Sequence, residues 1–155
     1  MLRQIRPDKS RLPDGIFAIV ASCYNARYVD AMVAAAGREI KRAGAKTQIL
    51  RVPGAYEIPV TAKRLARTLP ELSGILCLGV ILRGETVHAA HIGDTVSRAL
   101  MEIQLAYEIP VVHEVLLLEN EAQARVRCLN PRHNRGTEAA QTALAMAAVL
   151  KSLPG

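Results

Sequence analysis

A chain of 155 residues, half of them hydrophobic and 22% charged, has the size of one domain and lies well away from the low-hydrophobicity, high-charge composition that keeps chains disordered. No run approaches the roughly 20 apolar residues needed to span a bilayer, and residues 1–15, with Arg3, Arg6, Asp8, Lys9 and Arg11, hold no apolar targeting stretch. A soluble, cytoplasmic protein with no membrane contact is expected. The formal charge of +6 attracts nucleic acid and phosphorylated small molecules alike. Aromatics at 3%, the absence of tryptophan and scattered basic residues argue against nucleic acid.

In chain order, the polar segment 1–15 precedes a core of about 16–153, read as one domain. Ile16 to Ser22 is a short apolar run suited to a strand buried on both faces. From Arg27 to Ala43 apolar residues recur at helical spacing, and Gly44 ends the pattern. Thr47 to Val52 offers a second strand. Pro53-Gly54 breaks it before a helix from about Glu57 to Leu69, in which Pro59 fits only the first turn. Gly74 to Leu82, the most apolar run, reads as a central strand, followed by helical spacing from Thr86 to about Glu108. Pro110 to Leu118 is a fourth strand, Glu121 to Leu129 a short helix, and about Arg135 to Leu153 the last helix.

Four strand–helix alternations specify an α/β fold, a flavodoxin-like three-layer α/β/α sandwich with a four-stranded parallel sheet. Cys23, Cys77 and Cys128 are odd in number and far apart, and are expected as thiols without metal. Ligands of such a sheet gather at the carboxyl ends of its strands. There lie Tyr24-Asn25, Pro53 to Glu57, and Arg83 to His88, with Arg127 beyond the fourth strand.

Gly84-Glu85-Thr86 opening a helix makes an anion seat from free backbone N–H groups, or is simply a turn capped by Thr86. His88 sits within reach of that seat, either as a proton carrier or as a hydrogen-bonded structural histidine. Glu57 can accept from sugar hydroxyls or pair with a helix dipole. Tyr24 can stack on a heterocycle or close the core edge. Arg127 can hold phosphate or stay solvated. No phosphate-binding P-loop, GxGxxG, nucleophile elbow or HExxH occurs, which leaves acid–base chemistry on a phosphate ester.

Taken in order, Tyr24-Asn25, Val52 to Pro59 (VPGAYEIP), Leu78 to His88 (LGVILRGETVH), Gln123-Ala124 with Arg127, and Asn134-Arg135-Gly136 resemble the lumazine synthase family over about residues 16 to 150. The resemblance implies condensation of 5-amino-6-ribitylaminouracil with 3,4-dihydroxy-2-butanone 4-phosphate to 6,7-dimethyl-8-ribityllumazine, without metal or organic cofactor. It casts His88 as proton donor. Tyr24, Asn25, Ala55, Tyr56, Glu57, Val80, Ile81 and Leu82 become the pyrimidine and ribityl site. Glu85, Thr86 and a neighbouring subunit's Arg127 become the phosphate site. It further implies small-molecule substrates, a homopentamer with sites between subunits, a 60-subunit shell in some members, and riboflavin synthase as a candidate partner. The segment from Arg127 to Asn134 shows no insertion, which favours the shell.

Departures from the family pattern fall at His113-Glu114, where phenylalanine and glycine are common at the end of strand four. His113 can still stack in the pyrimidine site, but adds a titratable group. Leu117-Leu118 stand for threonines, and Arg135 for a lysine, keeping its charge for the phosphate. The rival readings are a family member that binds lumazine or riboflavin without turnover, and a shell used for storage. A flavodoxin-like electron carrier is disfavoured because the first loop, Cys23 to Arg27, lacks that carrier's run of Ser, Thr and Gly.

Overall fold

Four short apolar runs separated by amphipathic segments form β1 (Ile16–Ser22), β2 (Lys46–Val52), β3 (Gly74–Leu82) and β4 (Val111–Leu118). In the computed structural model, which describes Leu12 and residues 14–155, these pair in parallel in the order β2-β1-β3-β4. The rest of the polar N-terminal segment, including Arg3, Arg6, Asp8, Lys9 and Arg11, lies outside the described residues. The helices are α1 (Ala26–Arg42), α2 (Ile58–Thr68), α3 (His88–Tyr107), α4 (Glu121–Ala124) and α5 (Arg135–Ser152). A 3-10 turn (Ala55–Glu57) leads into α2, and a π turn (Arg125–Leu129) continues α4.

Alternation along the strands divides the core in two. Phe17, Ile19 and Ala21 of β1 and Leu76, Leu78 and Val80 of β3 pack with α1 and α5. Ala18 and Val20 of β1 and Ile75 and Cys77 of β3 pack with α2 and α3. The result is the three-layer flavodoxin-like α/β/α sandwich that the alternating elements predict. No described helix is long and apolar enough to cross a membrane.

Two contacts fix where the site-bearing segments lie. A Cβ on Gly136 would stand 2.1 Å from the Met32 carbonyl oxygen, so only glycine lets α5 cross α1 this closely. The buried Asn134 caps α5, its Oδ1 accepting from Gly136 N (2.8 Å) and Thr137 N (3.4 Å), while its Nδ2 donates to the Cys128 carbonyl at 2.6 Å. The π turn and the start of α5 are thereby tied together.

Two expectations shift. The third helix starts at His88, two residues later than Thr86, because the Thr86 hydroxyl accepts from the His88 N–H (3.4 Å) in a local turn and leaves Val87 at the cap. The stretch from Glu121 to Leu129 is helical throughout, but its second half is π, with Asn130 N donating to the Arg125 carbonyl five residues back (3.1 Å).

Candidate active site

In this strand order β1 and β3 run side by side while their connections leave in opposite directions, so the crevice between their carboxyl ends is the topological switch point. Asn25 adopts the left-handed conformation (φ 57°) that asparagine tolerates well, and its Nδ2 donates to the Val80 carbonyl across the switch point at 2.7 Å. The Cys23 and Tyr24 N–H groups donate to the Pro53 carbonyl (3.2 and 3.3 Å), drawing the loop after β1 onto the loop after β2.

Tyr24 is 71% exposed, and the buried Gly54 lies so close to its ring that a Cβ there would fall 3.1 Å from Cδ2. One edge of the ring is seated while the rest remains open to a ligand. Glu57 Oε2 accepts from the Gly54 N–H at 2.9 Å, closing the 3-10 turn. The structural and the ligand-binding readings of Glu57 are therefore compatible, because Oε1 has no protein partner among the described residues. Ala55 is half-buried and Tyr56 62% exposed beside it. On β3, Val80 is buried toward α1 and α5, while Ile81 and Leu82 are half-buried. Tyr24, Asn25, Ala55, Tyr56, Glu57, Val80, Ile81 and Leu82 thus come together.

Residues Arg83 to Val87 form an exposed loop after β3, and His88, which follows it, is exposed too. Arg83 pairs with Glu119 (2.8 Å), and Arg83 N donates to the Leu118 carbonyl (2.8 Å), tying that loop to the end of β4. Because α3 begins at His88, the open N–H groups at its start belong to Ala89 and Ala90. Glu85 and Thr86 stand just outside the first turn, with His88 at its first position.

His113 and Glu114 are not at the end of β4 but are its third and fourth residues, in register with Cys77 and Leu78. Consecutive strand residues face opposite ways, so they part. His113 turns toward α3, where Nε2 meets Ser97 Oγ at 2.7 Å and Nδ1 accepts from the Val115 N–H at 3.1 Å. With Nδ1 an acceptor, the neutral ring carries its proton on Nε2 and donates it to Ser97, whose hydroxyl donates to the Gly93 carbonyl (2.8 Å). Partial burial lowers the His113 pKa. The shift favours the neutral ring, and its partner Ser97 lies nine residues along α3 from His88, about 13 Å of helix rise.

Glu114 turns to the other face. Its Oε2 lies 3.4 Å from Arg135 Nε, and Arg135 Nη1 binds Glu138 at 2.5 Å. Burial raises the Glu114 pKa to about 7, opposed by Arg135 and Arg127 and reinforced by Glu138. Arg135 is itself raised: burial lowers its pKa, and this is outweighed by the hydrogen bond to Glu138 and the charges of Glu114 and Glu138. Arg127 is exposed on the π turn. Among the described residues no hydrogen bond or ion pair joins Arg127, Arg135 or His113 to Tyr24, Glu57 or His88. Sequence reasoning passed over Ser97 and Glu138. The three-residue step from Arg135 makes Glu138 findable, whereas nothing local marks Ser97.

Buried Cys77 and Cys128 have thiols raised to about 12 and about 11, Cys77 by burial alone and Cys128 by burial and then Glu114. Cys23 is exposed, and all three are free.

The profile of the family described as 6,7-dimethyl-8-ribityllumazine synthase matches residues 15–151. Proteins of that name from Stenotrophomonas maltophilia (strain R551-3) and Xylella fastidiosa (strain 9a5c) are 40% and 38% identical to the chain over 141 residues. These alignments cover 89% of this chain and 90% and 91% of those proteins. The one from Xanthomonas oryzae pv. oryzae (strain PXO99A) is 37% identical over 147 residues, 93% of this chain and 95% of its own length.

Proposed function

Because the chain belongs to the 6,7-dimethyl-8-ribityllumazine synthase family, transferases of riboflavin biosynthesis, we propose that it condenses 5-amino-6-(D-ribitylamino)uracil with 3,4-dihydroxy-2-butanone 4-phosphate to 6,7-dimethyl-8-ribityllumazine, releasing phosphate and water. The observation that carries this reading is the crevice at the switch point, where Asn25 bridges to Val80 and Tyr24 and Glu57 flank Gly54.

In this reading the pyrimidine stacks on the open part of the Tyr24 ring and meets the Val80–Leu82 edge beside Ala55 and Tyr56. Glu57, with one oxygen spent on Gly54, offers the other to ribityl hydroxyls. The phosphate sits before the N-terminus of α3, beside Glu85 and Thr86. The 5-amino group adds to the ketone carbonyl and water leaves as the imine forms. Phosphate is then eliminated, and the ribityl-bearing nitrogen closes the ring with loss of a second water. His88, at the mouth of the helix, supplies and recovers the protons. Positioning of the two substrates and proton transfer provide most of the acceleration, the latter typically about 10²–10⁴-fold.

Among the described residues of one chain, it is the start of α3 that offers the phosphate a seat in the crevice. Arg127 and His113 belong to a second copy's contribution, so the working unit is a homo-oligomer, a pentamer with sites between subunits or a shell of such pentamers. The cytoplasm is its place of action, the whole of residues 1–155 acts as one domain, and riboflavin synthase, which would consume the product, is its candidate partner. Ligand binding without turnover is the second reading, favoured by the two carboxylates that engage Arg135.

Mixing the protein with both substrates and following lumazine absorbance and fluorescence tests the proposal. Product above the uncatalysed background is expected. Pyrimidine binding without product would establish the second reading instead.

A further inference from the structure

The flank of β4 that faces α5 carries a charge arrangement that the proposed reaction does not itself require. Glu114 is only 14% exposed at its side chain, yet it is a carboxylate in the middle of an eight-residue strand. The charged and ionisable groups that act on it are Arg135 and Glu138 of α5, and Arg127 and the Cys128 thiol of the π turn. Arg135 is 30% exposed at its side chain, and its Nε is buried without a well-formed hydrogen bond, facing Glu114 at 3.4 Å. With Glu114 ionised, two guanidinium groups face two carboxylates and the patch is neutral. With Glu114 protonated, one positive charge is left over, and Arg135 answers to Glu138 alone.

We propose that Glu114 is a positioning residue that sets how much positive charge Arg127 and Arg135 present to the substrate's phosphate, so that anion affinity rises as Glu114 takes up a proton. This rests on the reading of Arg127 and Arg135 as the phosphate end of the site. Geometry makes the coupling direct, because the carboxylate lies 3.4 Å from the very guanidinium that would turn toward the anion, and the Glu114 side chain is largely removed from water. The raised pKa of Glu114, about 7 through burial, places the change near neutrality. His113 lies on the opposite face, bonded to Ser97 and the Val115 N–H, with its pKa lowered by burial, and the Glu114→Gln comparison separates its titration from that of Glu114.

Sulfate is the probe, since it stays doubly charged across the range where a phosphate ester would itself titrate. Calorimetric titration of the assembled protein with sulfate at pH 6 and pH 8 should show binding about five- to tenfold tighter at pH 6, the size expected of one nearby charge in a partly screened site. Glu114→Gln should bind at pH 8 about as tightly as the parent does at pH 6, with the pH ratio reduced toward one. Glu114→Asp, which keeps the carboxylate, should restore the ratio, and this guards against a fold defect in the glutamine variant. Equal pH ratios in the parent and Glu114→Gln would overturn the proposal. So would the absence of sulfate binding by the parent at pH 6; turnover of the same preparation would then show whether the reaction stands without this device.

Discussion

At the carboxyl ends of β1, β2 and β3, polar groups are held by backbone: the Asn25 side chain on the Val80 carbonyl, the Glu57 side chain on the Gly54 N–H, and the Cys23 and Tyr24 N–H groups on the Pro53 carbonyl. On the flank of β4 the polar side chains hold one another, Glu114 on Arg135 and Arg135 on Glu138, with Arg127 near by. A backbone-anchored cluster is held in shape by the chain itself and leaves spare valences, such as the second Glu57 oxygen, for a ligand. A cluster of compensating charges gains a net positive charge when a single proton binds. The first suits recognition of a neutral heterocycle and polyol, the second a phosphate.

The largest effect expected is on the chemistry that joins the two regions. His88→Ala should lower turnover by about 10²–10⁴-fold while leaving oligomer size unchanged, measured by steady-state lumazine formation and size-exclusion chromatography. Retained full activity would remove His88 from the mechanism.

Next is the crossing that holds the charged flank in place. Gly136→Ala drives a methyl group into the Met32 carbonyl; overpacking against backbone should cost about 3 kcal/mol or more. Denaturant unfolding measures this, and a loss below about 1 kcal/mol would show that α5 can slide on α1.

A finer test separates the two duties of Glu57. Glu57→Ala loses both the Gly54 contact and the ribityl contact and should weaken pyrimidine binding by about 10–100-fold, the span of a charge-assisted hydrogen bond. Glu57→Gln keeps an acceptor for Gly54 and should fall between the parent and alanine variants in a fluorescence titration. Unchanged affinity in the alanine variant would take Glu57 out of the ribityl site.

The smallest effect is on stability. Because the folded Glu114 pKa of about 7 lies above its ordinary 4.5, its contribution is complete below about pH 4.5 and is lost as pH rises through about 7. Glu114→Gln, fixed neutral, should therefore be more stable than the parent at pH 8 by about 1–3 kcal/mol and equal to it at about pH 4, by denaturant midpoints. The opposite pH trend would mean that the ion pair with Arg135 outweighs burial.

The two regions were unequally legible in the sequence. Apolar runs and turn residues mark the strand ends, and β3 falls on Gly74–Leu82 as read because nine apolar or small residues between polar ones leave no other register. The loops that carry Tyr24, Gly54 and Glu57 follow from those ends. The start of α3 was read two residues early because Thr86 serves a local turn rather than the helix cap. The π turn escaped because bonds four and five residues back leave the same hydrophobic spacing. Alternation along β4 already puts His113 and Glu114 on opposite faces. That Ser97 receives one and Arg135 the other depends on how α3 and α5 lie against the strand, which no local pattern records.

Under the proposed function, a complete site takes Tyr24, Glu57 and His88 from one chain and Arg127 from the next. Co-assembling His88→Ala with Arg127→Ala subunits in equal amounts, then assaying lumazine formation at low butanone phosphate, tests it most directly. If sites lie between subunits related by a closed rotation, about one quarter of them regain both residues and activity should rise well above that of either variant alone. No recovery in verified mixed oligomers would contradict a shared site and return both residues to a single chain.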